Sequence, residues 1–470
     1  MFSYPDEGRQ PTFSDVLRGF GQDSQLPFGN VLSEQRVLDV AREEGVDFAD
    51  DPNAVYTPPV VLFAWLAQCI SASKSCVAAV ARVIVLRVAL GLPPCSAATG
   101  GYCRARAKLP ERFVQRLTLE VGTAVEDQAP DAWRWKGRRT LLLDGFTVAM
   151  PDTPENQADY PQSRSQKPGL GFPMIRAVVL LTFATACMVG CATGPCKGKE
   201  TGETALFRQL AEQLREGDVV VSDRYFCSYW HRAMIRDRGA DGCARMHARR
   251  QYDFRRGRRL GPGDHVVVWC KPARPKWMDE DTYADIPDTL EIREIRFNVA
   301  TPGCRTEEIV VATTLLDAET YSKADIADLY HYRWHVELDI RAIKQTLQMD
   351  ILTCQTPEMV RKEIGMHLLA YNLVRAGIAQ AAMQQGKTPR QLSFAGAQQT
   401  LNAFRWLLLL SEGQGRMRFV RALAVAIGTH VVGNRPGRSE PRAVKRRARK
   451  YPLRRQPRQQ ARQALLHGAA

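Results

Sequence analysis

Three acidic residues and one short segment carry the chemistry open to this sequence. Asp144 ends the apolar run in RRTLLLDGFTVAM and Asp223 ends that in DVVVSDRYF, while Glu337 lies in LYHYRWHVELDIRAIKQ among Tyr330, Arg333 and Lys344. Acids that close apolar, β-branched runs are expected at the ends of buried strands, where carboxylates at the edge of a sheet converge. A helix laid against that sheet can add the third. Three crowded carboxylates repel one another unless a cation neutralises them, and hard divalent ions with open positions answer that need. Two such ions suit phosphoryl transfer, one activating the attacking oxygen and the other stabilising the leaving one.

The segment around Glu337 reads as one helix. At about 100° per residue Tyr330, Arg333, Glu337 and Lys344 fall near 0°, 300°, 340° and 320°, a stripe roughly 60° wide. Tyr332, Val336, Ile340, Ile343 and Leu347 form the neighbouring apolar stripe, so the polar quartet borders the packed face. Ser322 followed by Asp325 predicts a capping box at the start. The plainer alternative is an exposed helix in which Arg333 and Glu337 make an ordinary i, i+4 pair. His331 and His335 share ligand-like spacing but point away from Glu337 and read as a solvated face.

These residues need a scaffold that can hold them. Residues 1–130 carry a helical pattern, including TPPVVLFAWLAQCISASKSCVAAVARVIVLRVALGLP, closed by Gly91 and Pro93, and are expected to form a helical N-terminal domain that either contacts DNA or is a bundle with a solvated basic edge. Arg104, Arg106 and Lys108 crowd an expected turn there. From Arg138 the texture becomes strand-rich, with TGETALFRQLAEQLREG as an amphipathic helix ended by Gly217. The order suggests an α/β core, a mixed sheet covered by helices, over 138–261 and 321–432. Between them, 262–320 reads as a β-rich insertion. In it Trp269 and Trp277 read most simply as core-packing residues. Just before it, Arg255, Arg256, Arg258 and Arg259 read either as a basic loop over DNA or as a solvated face. Asp152, Glu155 and Asp159 read as loop acids that cap turns or face solvent.

Charge is distributed unevenly. From Arg435 onward the chain has twelve Lys or Arg against a single acid, Glu440, hence +11 of the net +15 and +4 for the rest. Residues 433–470 are therefore expected to be a disordered basic tail that attracts polyanions, nucleic acid before acidic lipid. The uncharged run from Ala177 to Cys196 could pass for a membrane span, but its β-branched content, Gly190, Gly194 and Pro195 favour two adjacent buried strands. An acidic-lipid-binding membrane protein is accordingly the weakest reading. The N-terminal MFSYPDEGRQPTF lacks a secretory pattern, so the cytoplasm is expected. The twelve cysteines then read as reduced thiols, and the spacing of Cys187, Cys191 and Cys196 does not match a zinc site.

At this point the sequence resembles the insertion-sequence-four family of DDE transposases. DGFTVAMPDTPEN is similar to the family's first-aspartate segment and DRYFCSYW to its second, while Tyr330, Arg333, Glu337 and Lys344 meet its tyrosine-arginine-glutamate-lysine signature. Tyr225 departs from the glycine that members often carry after the aspartate-arginine pair. The resemblance implies an RNase H-like fold interrupted by a β-rich insertion. It further implies that Asp144, Asp223 and Glu337 are catalytic and hold two Mg²⁺ or Mn²⁺ ions, and that Tyr330, Arg333 and Lys344 bind DNA; Arg256 and Arg258 are DNA-binding candidates from the charge of their loop alone. Arg suits phosphate as a fork, Lys as a point charge. The implied activity is cutting and joining the ends of an insertion sequence through a hairpin intermediate, for which Trp269 and Trp277 are candidates to stack on a flipped base. The implied partners are double-stranded DNA, both inverted-repeat ends and target, and a second copy of the chain, with no membrane and a location at the bacterial nucleoid. The competing reading is a catalytically inactive or domesticated relative that recognises element ends and cuts nothing.

Overall fold

The computed structural model describes residues 8–48, 51, 53–163, 165–298, 308–350, 352–433 and 455–466. Six helices come first: α1 (Phe13–Gly19), α2 (Glu34–Glu43), α3 (Pro58–Ile70), α4 (Cys76–Ala89), α5 (Gly100–Lys108) and α6 (Glu111–Asp127). Local chemistry sets several of their ends. Thr12 and Asp15 form a reciprocal capping box on α1, Ser33 and Ser75 cap α2 and α4, and Gly91 takes the left-handed conformation after α4. Arg104, Arg106 and Lys108 lie on α5 and not in a turn. Arg106 is buried against Trp65 and Tyr102, and only Arg104 and Lys108 are exposed.

The strands then build one mixed sheet. β1 (Thr140–Ala149) is followed by the short α7 (Pro154–Asp159), which occupies the expected loop of Asp152, Glu155 and Asp159. β2 (Met174–Thr182) and β3 (Met188–Pro195) form an antiparallel hairpin from the uncharged run. α8 (Glu203–Leu210) ends in a 3-10 turn at Ala211–Gln213, short of Gly217, and leads to β4 (Val219–Ser222). α9 (Tyr229–Asp237) precedes β5 (Asp241–Arg245). β1, β4 and β5 are parallel neighbours, and β2 and β3 extend the sheet antiparallel on the other side of β1.

The β-rich region starts earlier than 262 and does not stand apart. β6 (Arg258–Gly261) already pairs with β7 (Asp264–Cys270), and after the short α10 (Glu280–Asp285) come β8 (Thr289–Asn298) and β9 (Glu308–Thr313). β9 pairs antiparallel with β5. The result is a nine-stranded sheet in the order β3-β2-β1-β4-β5-β9-β8-β7-β6. β5 offered an unpaired edge, and the returning strand satisfied it.

The expected single helix around Glu337 is three pieces: α11 (Lys323–His331), α12 (Trp334–Arg341) and a π-helical turn at Ala342–Thr346, with a break at Tyr332 and Arg333. The capping box of Ser322 and Asp325 is present at its start. Four helices complete the described chain: α13 (Pro357–Gln384), α14 (Phe394–Leu410), α15 (Gly413–Thr429) and α16 (Arg458–Leu466). α16 corrects the expectation for the tail, because RQQARQALL consists of strong helix formers. Residues 434–454, which hold much of the basic tail, lie outside the described residues.

The 28-residue α13 is buried on nearly all sides and packs on α6, α3, α14 and α15. One hydrophobic cluster runs from Phe13 through Leu142, Val336 and Tyr371 to Ile427, so the N-terminal helices share a core with the sheet. Gly122 of α6 permits a close approach to β3. A Cβ there would stand 2.1 Å from the Met188 carbonyl oxygen, and Asn372 of α13 bridges the same joint by donating to the carbonyls of Thr118 and Met188 at 2.8 Å each.

Candidate active site

Asp144 lies in the middle of β1, not at its end. Leu142, Phe146 and Val148 belong to the cluster that includes Val336 and Ile340 of α12, whereas Leu141 and Leu143 pack with Leu206, Phe207 and Leu210 of α8. Since side chains alternate along a strand, Asp144 faces the α12 side. Leu143 is level with Ser222 in the parallel β1–β4 pairing, so continuing the register sets Asp144 beside Asp223. Strands in a sheet lie about 4.8 Å apart.

Asp223 follows the last residue of β4 and caps a 3-10 turn at Arg224–Phe226, accepting from the Tyr225 amide at 2.8 Å. Tyr225 needs no glycine-like conformation. It is absent from the residues with positive φ and is 51% exposed.

Burial first, and then the charges of Asp223 and Glu203, push the Asp144 carboxyl up to about 6, against the pull of the Gly145 amide and Arg333. Glu203 is a neighbour that the sequence did not single out. It opens α8, and a Cβ on Gly145 would meet its carboxyl carbon at 2.6 Å, which explains the glycine after Asp144. Its own carboxyl is raised by burial and by Asp223, with Arg176 opposing. An acid in a first turn looks like any helix-dipole partner, so only its position reveals it.

The quartet is divided among different surroundings. Arg333 Nη2 donates to Glu337 Oε1 at 3.0 Å, with side-chain exposures of 19% and 41%. The Arg333 charge also pulls the Asp144 carboxyl down, against its burial. Tyr330 is buried against Phe297, and burial raises its hydroxyl to about 12. Lys344, on the π-turn, donates to the Thr147 carbonyl of β1 at 2.9 Å and sits 5.8 Å from the Phe146 ring. Glu337 is thus engaged by Arg333, and among the described residues no group of three or more His, Cys, Asp or Glu is arranged to hold a metal ion.

Other expected residues fall elsewhere. Arg255, Arg256, Arg258 and Arg259 are exposed around the start of β6. That edge strand is five places from β4 in the sheet, or about 24 Å at the usual strand spacing. Trp269 is a core residue, 3% exposed, donating to Glu294 at 2.9 Å beneath the Arg250 guanidinium at 3.5 Å. Trp277 is half-buried, with Arg208 at 3.8 Å over its ring. His331 is exposed, but His335 is not on a solvated face. It packs near Phe183 and Tyr332, and burial, then Arg390, lowers it to about 4.

The family model described as Transposase DDE domain matches residues 135–373. The transposase InsG for insertion sequence element IS4 of Escherichia coli (strain K12) is 30% identical over 370 residues, covering 76% of this chain and 78% of that protein. The chain therefore belongs to the DDE transposases of the insertion-sequence-four type. The transposase for insertion sequence element IS421 of Escherichia coli is 35% identical over 65 residues, 14% of this chain and 18% of that one. Among solved structures, the piggyBac transposase synaptic complex with hairpin DNA aligns at a TM-score of 0.42 and 9% identity, over 91% of this chain and 87% of that one. Among the described residues no helix is long and apolar enough to cross a membrane.

Proposed function

We propose that this chain is a transposase that cuts and joins DNA at the ends of its own insertion sequence, on an RNase H-like core. Asp144, Asp223 and Glu337 are the catalytic acids in this reading. The observation that carries it is the placement of Asp144 on β1 level with the end of the parallel β4, which Asp223 directly follows, so that the charge of one raises the other carboxyl, with Arg333 just ahead of the Glu337 helix acting on the same aspartate. A carboxyl raised first by burial and then by acidic neighbours gains from a nearby cation, and oxygen donors of this kind fit Mg²⁺ or Mn²⁺.

When bound, such ions supply charge neutralisation at the phosphodiester and a more nucleophilic oxygen. The chain's own residues do the rest. Phosphate and Glu337 compete for the Arg333 fork, so arrival of the strand draws Arg333 to a phosphate oxygen and frees Glu337 to turn toward Asp144 and Asp223. Lys344 holds the strand beside β1 as a point charge. The buried Tyr330 ring backs Arg333 and offers one hydroxyl. Nicking at the element end, attack of the freed 3′-hydroxyl on the opposite strand to leave a hairpin, reopening and joining to target DNA would use this one site in turn. Two ends must be brought together, which two copies of the chain accomplish.

The test is cleavage of DNA bearing the element's ends. Cutting is expected with Mg²⁺ or Mn²⁺ and not with EDTA. Asp223→Ala should abolish it while leaving the Kd for end DNA within about twofold, because the acid contributes to the reaction and not to phosphate contact. Cutting that survives the substitution refutes the assignment.

A further inference from the structure

α12 is a poor carrier for a residue that must be placed accurately. It has eight residues, follows a break and runs into a π-turn, and an isolated helix of this length is marginal. Something outside it must set its rotation. Val336 and Ile340 are buried, but apolar contacts alone permit slippage.

A buried polar cluster on the opposite side of α12 supplies the constraint. Asp339 is two residues from Glu337, about 200° around the helix, and is 2% exposed. Its Oδ1 accepts from Arg375 Nη2 of α13 at 2.7 Å, and its Oδ2 from both terminal nitrogens of Arg390 at 3.1 Å. Both arginines reach on to the turn between β2 and β3. Arg390 donates to the carbonyls of Phe183 at 2.5 Å and Thr182 at 2.9 Å. Arg375 donates to the Tyr371 hydroxyl at 2.9 Å, which donates to the Ala186 carbonyl at 2.8 Å. At the break itself Tyr332 stacks on Phe183 with centroids 4.1 Å apart.

We propose that Asp339 is the positioning residue for the third acid: gripped by Arg375 and Arg390, its carboxylate fixes the rotation of α12 and thereby holds Glu337 and Arg333 toward Asp144. A buried carboxylate with two forked cations has one good geometry, and slippage would leave charges unpaired. Three separate pieces of chain, α13, the 3-10 turn at Pro389–Gln391 and the β2–β3 turn, therefore meet on the back of the helix that faces the reaction. The proposal rests on the reading of Glu337 as a catalytic acid.

The test compares Asp339→Asn and the double variant Asp339→Asn, Arg390→Gln with the parent chain. In Asp339→Asn the cleavage rate at saturating end DNA should fall at least about tenfold and the half-saturating Mn²⁺ concentration should rise about fivefold, with the Kd for end DNA within about twofold, because a small misplacement penalises the chemical step most. The double variant removes one uncompensated cation, so its Tm should recover while its Mn²⁺ dependence stays shifted. Should the two recover together, or should Asp339→Asn keep the parent's Mn²⁺ dependence, the proposal is overturned. If Asp339→Asn does not fold, Arg390→Gln carries the same expectations. A parent chain that cuts no end DNA would instead overturn the proposed function. Hydrogen exchange then still decides the clamp: amides of Trp334–Arg341 should exchange at least about tenfold faster in the variant, with Thr140–Ala149 unchanged, and equal exchange in both overturns it.

Discussion

Asp144→Asn should make the metal-free protein more stable. Burial, with the charges of Asp223 and Glu203, moves this carboxyl from 3.8 to about 6. Between about pH 4 and 6 the native state therefore binds the proton better than the unfolded chain does, and stability declines as pH rises through that window. Above it the whole penalty stands. At about 1.4 kcal/mol per pKa unit this comes to about 3 kcal/mol at pH 7.5. Asparagine keeps the shape and the acceptor for the Gly145 amide but cannot ionise. The variant is expected to gain up to about 3 kcal/mol at pH 7.5 and to gain nothing at about pH 4. For a cooperative unfolding of 470 residues, at about 2 cal/mol/K each, the gain is a rise of about 3 °C in Tm. Scanning calorimetry in EDTA from pH 4.5 to 8 measures it, and added Mg²⁺ should narrow the gap by stabilising only the parent. A variant no more stable than the parent at pH 7.5, or a gain that does not shrink toward pH 4.5, would refute the reasoning.

Trp269→Ala should cost about 3–5 kcal/mol in urea unfolding, the usual range for a buried tryptophan, while leaving cleavage at low temperature intact; a lost hairpin step with unchanged stability would restore the base-stacking role. Replacing Arg256 and Arg258 together with glutamine should lower the slope of log K against log salt by about two, with the rate at saturating DNA unchanged. Lys344→Met should weaken end-DNA binding about tenfold, as for a lost charged hydrogen bond, and should leave the Mn²⁺ dependence alone.

Local patterns in the chain foretell what is local in the fold. The capping box at Ser322, the hairpin of the uncharged run and the helical N-terminal third each depend on neighbours in sequence. The acids were legible because apolar runs around Asp144 and Asp223 mark strands, although only the pairing register reveals that Asp144 sits in mid-strand. Glu203 stayed hidden because a first-turn acid has an ordinary explanation and its partners lie on other strands. The wheel around Glu337 assumed regular geometry, and the break falls where Tyr332 stacks on Phe183, a tertiary contact that no helical pattern announces. The start of the insertion was misjudged for a related reason: the basic residues of β6 have no strand signal of their own and take their conformation from β7.

The bond between β5 and β9 has a further consequence for anyone wishing to shorten this protein. An appended lobe on a hinge could be trimmed away. Here, excising residues 258–313 would strip β5 of its partner β9 and leave a row of bare peptide groups on the strand beside β4, an invitation to sticky edge-to-edge assembly. The same continuity links the exposed arginines around β6 through an unbroken series of strand pairings to β5, the neighbour of β4.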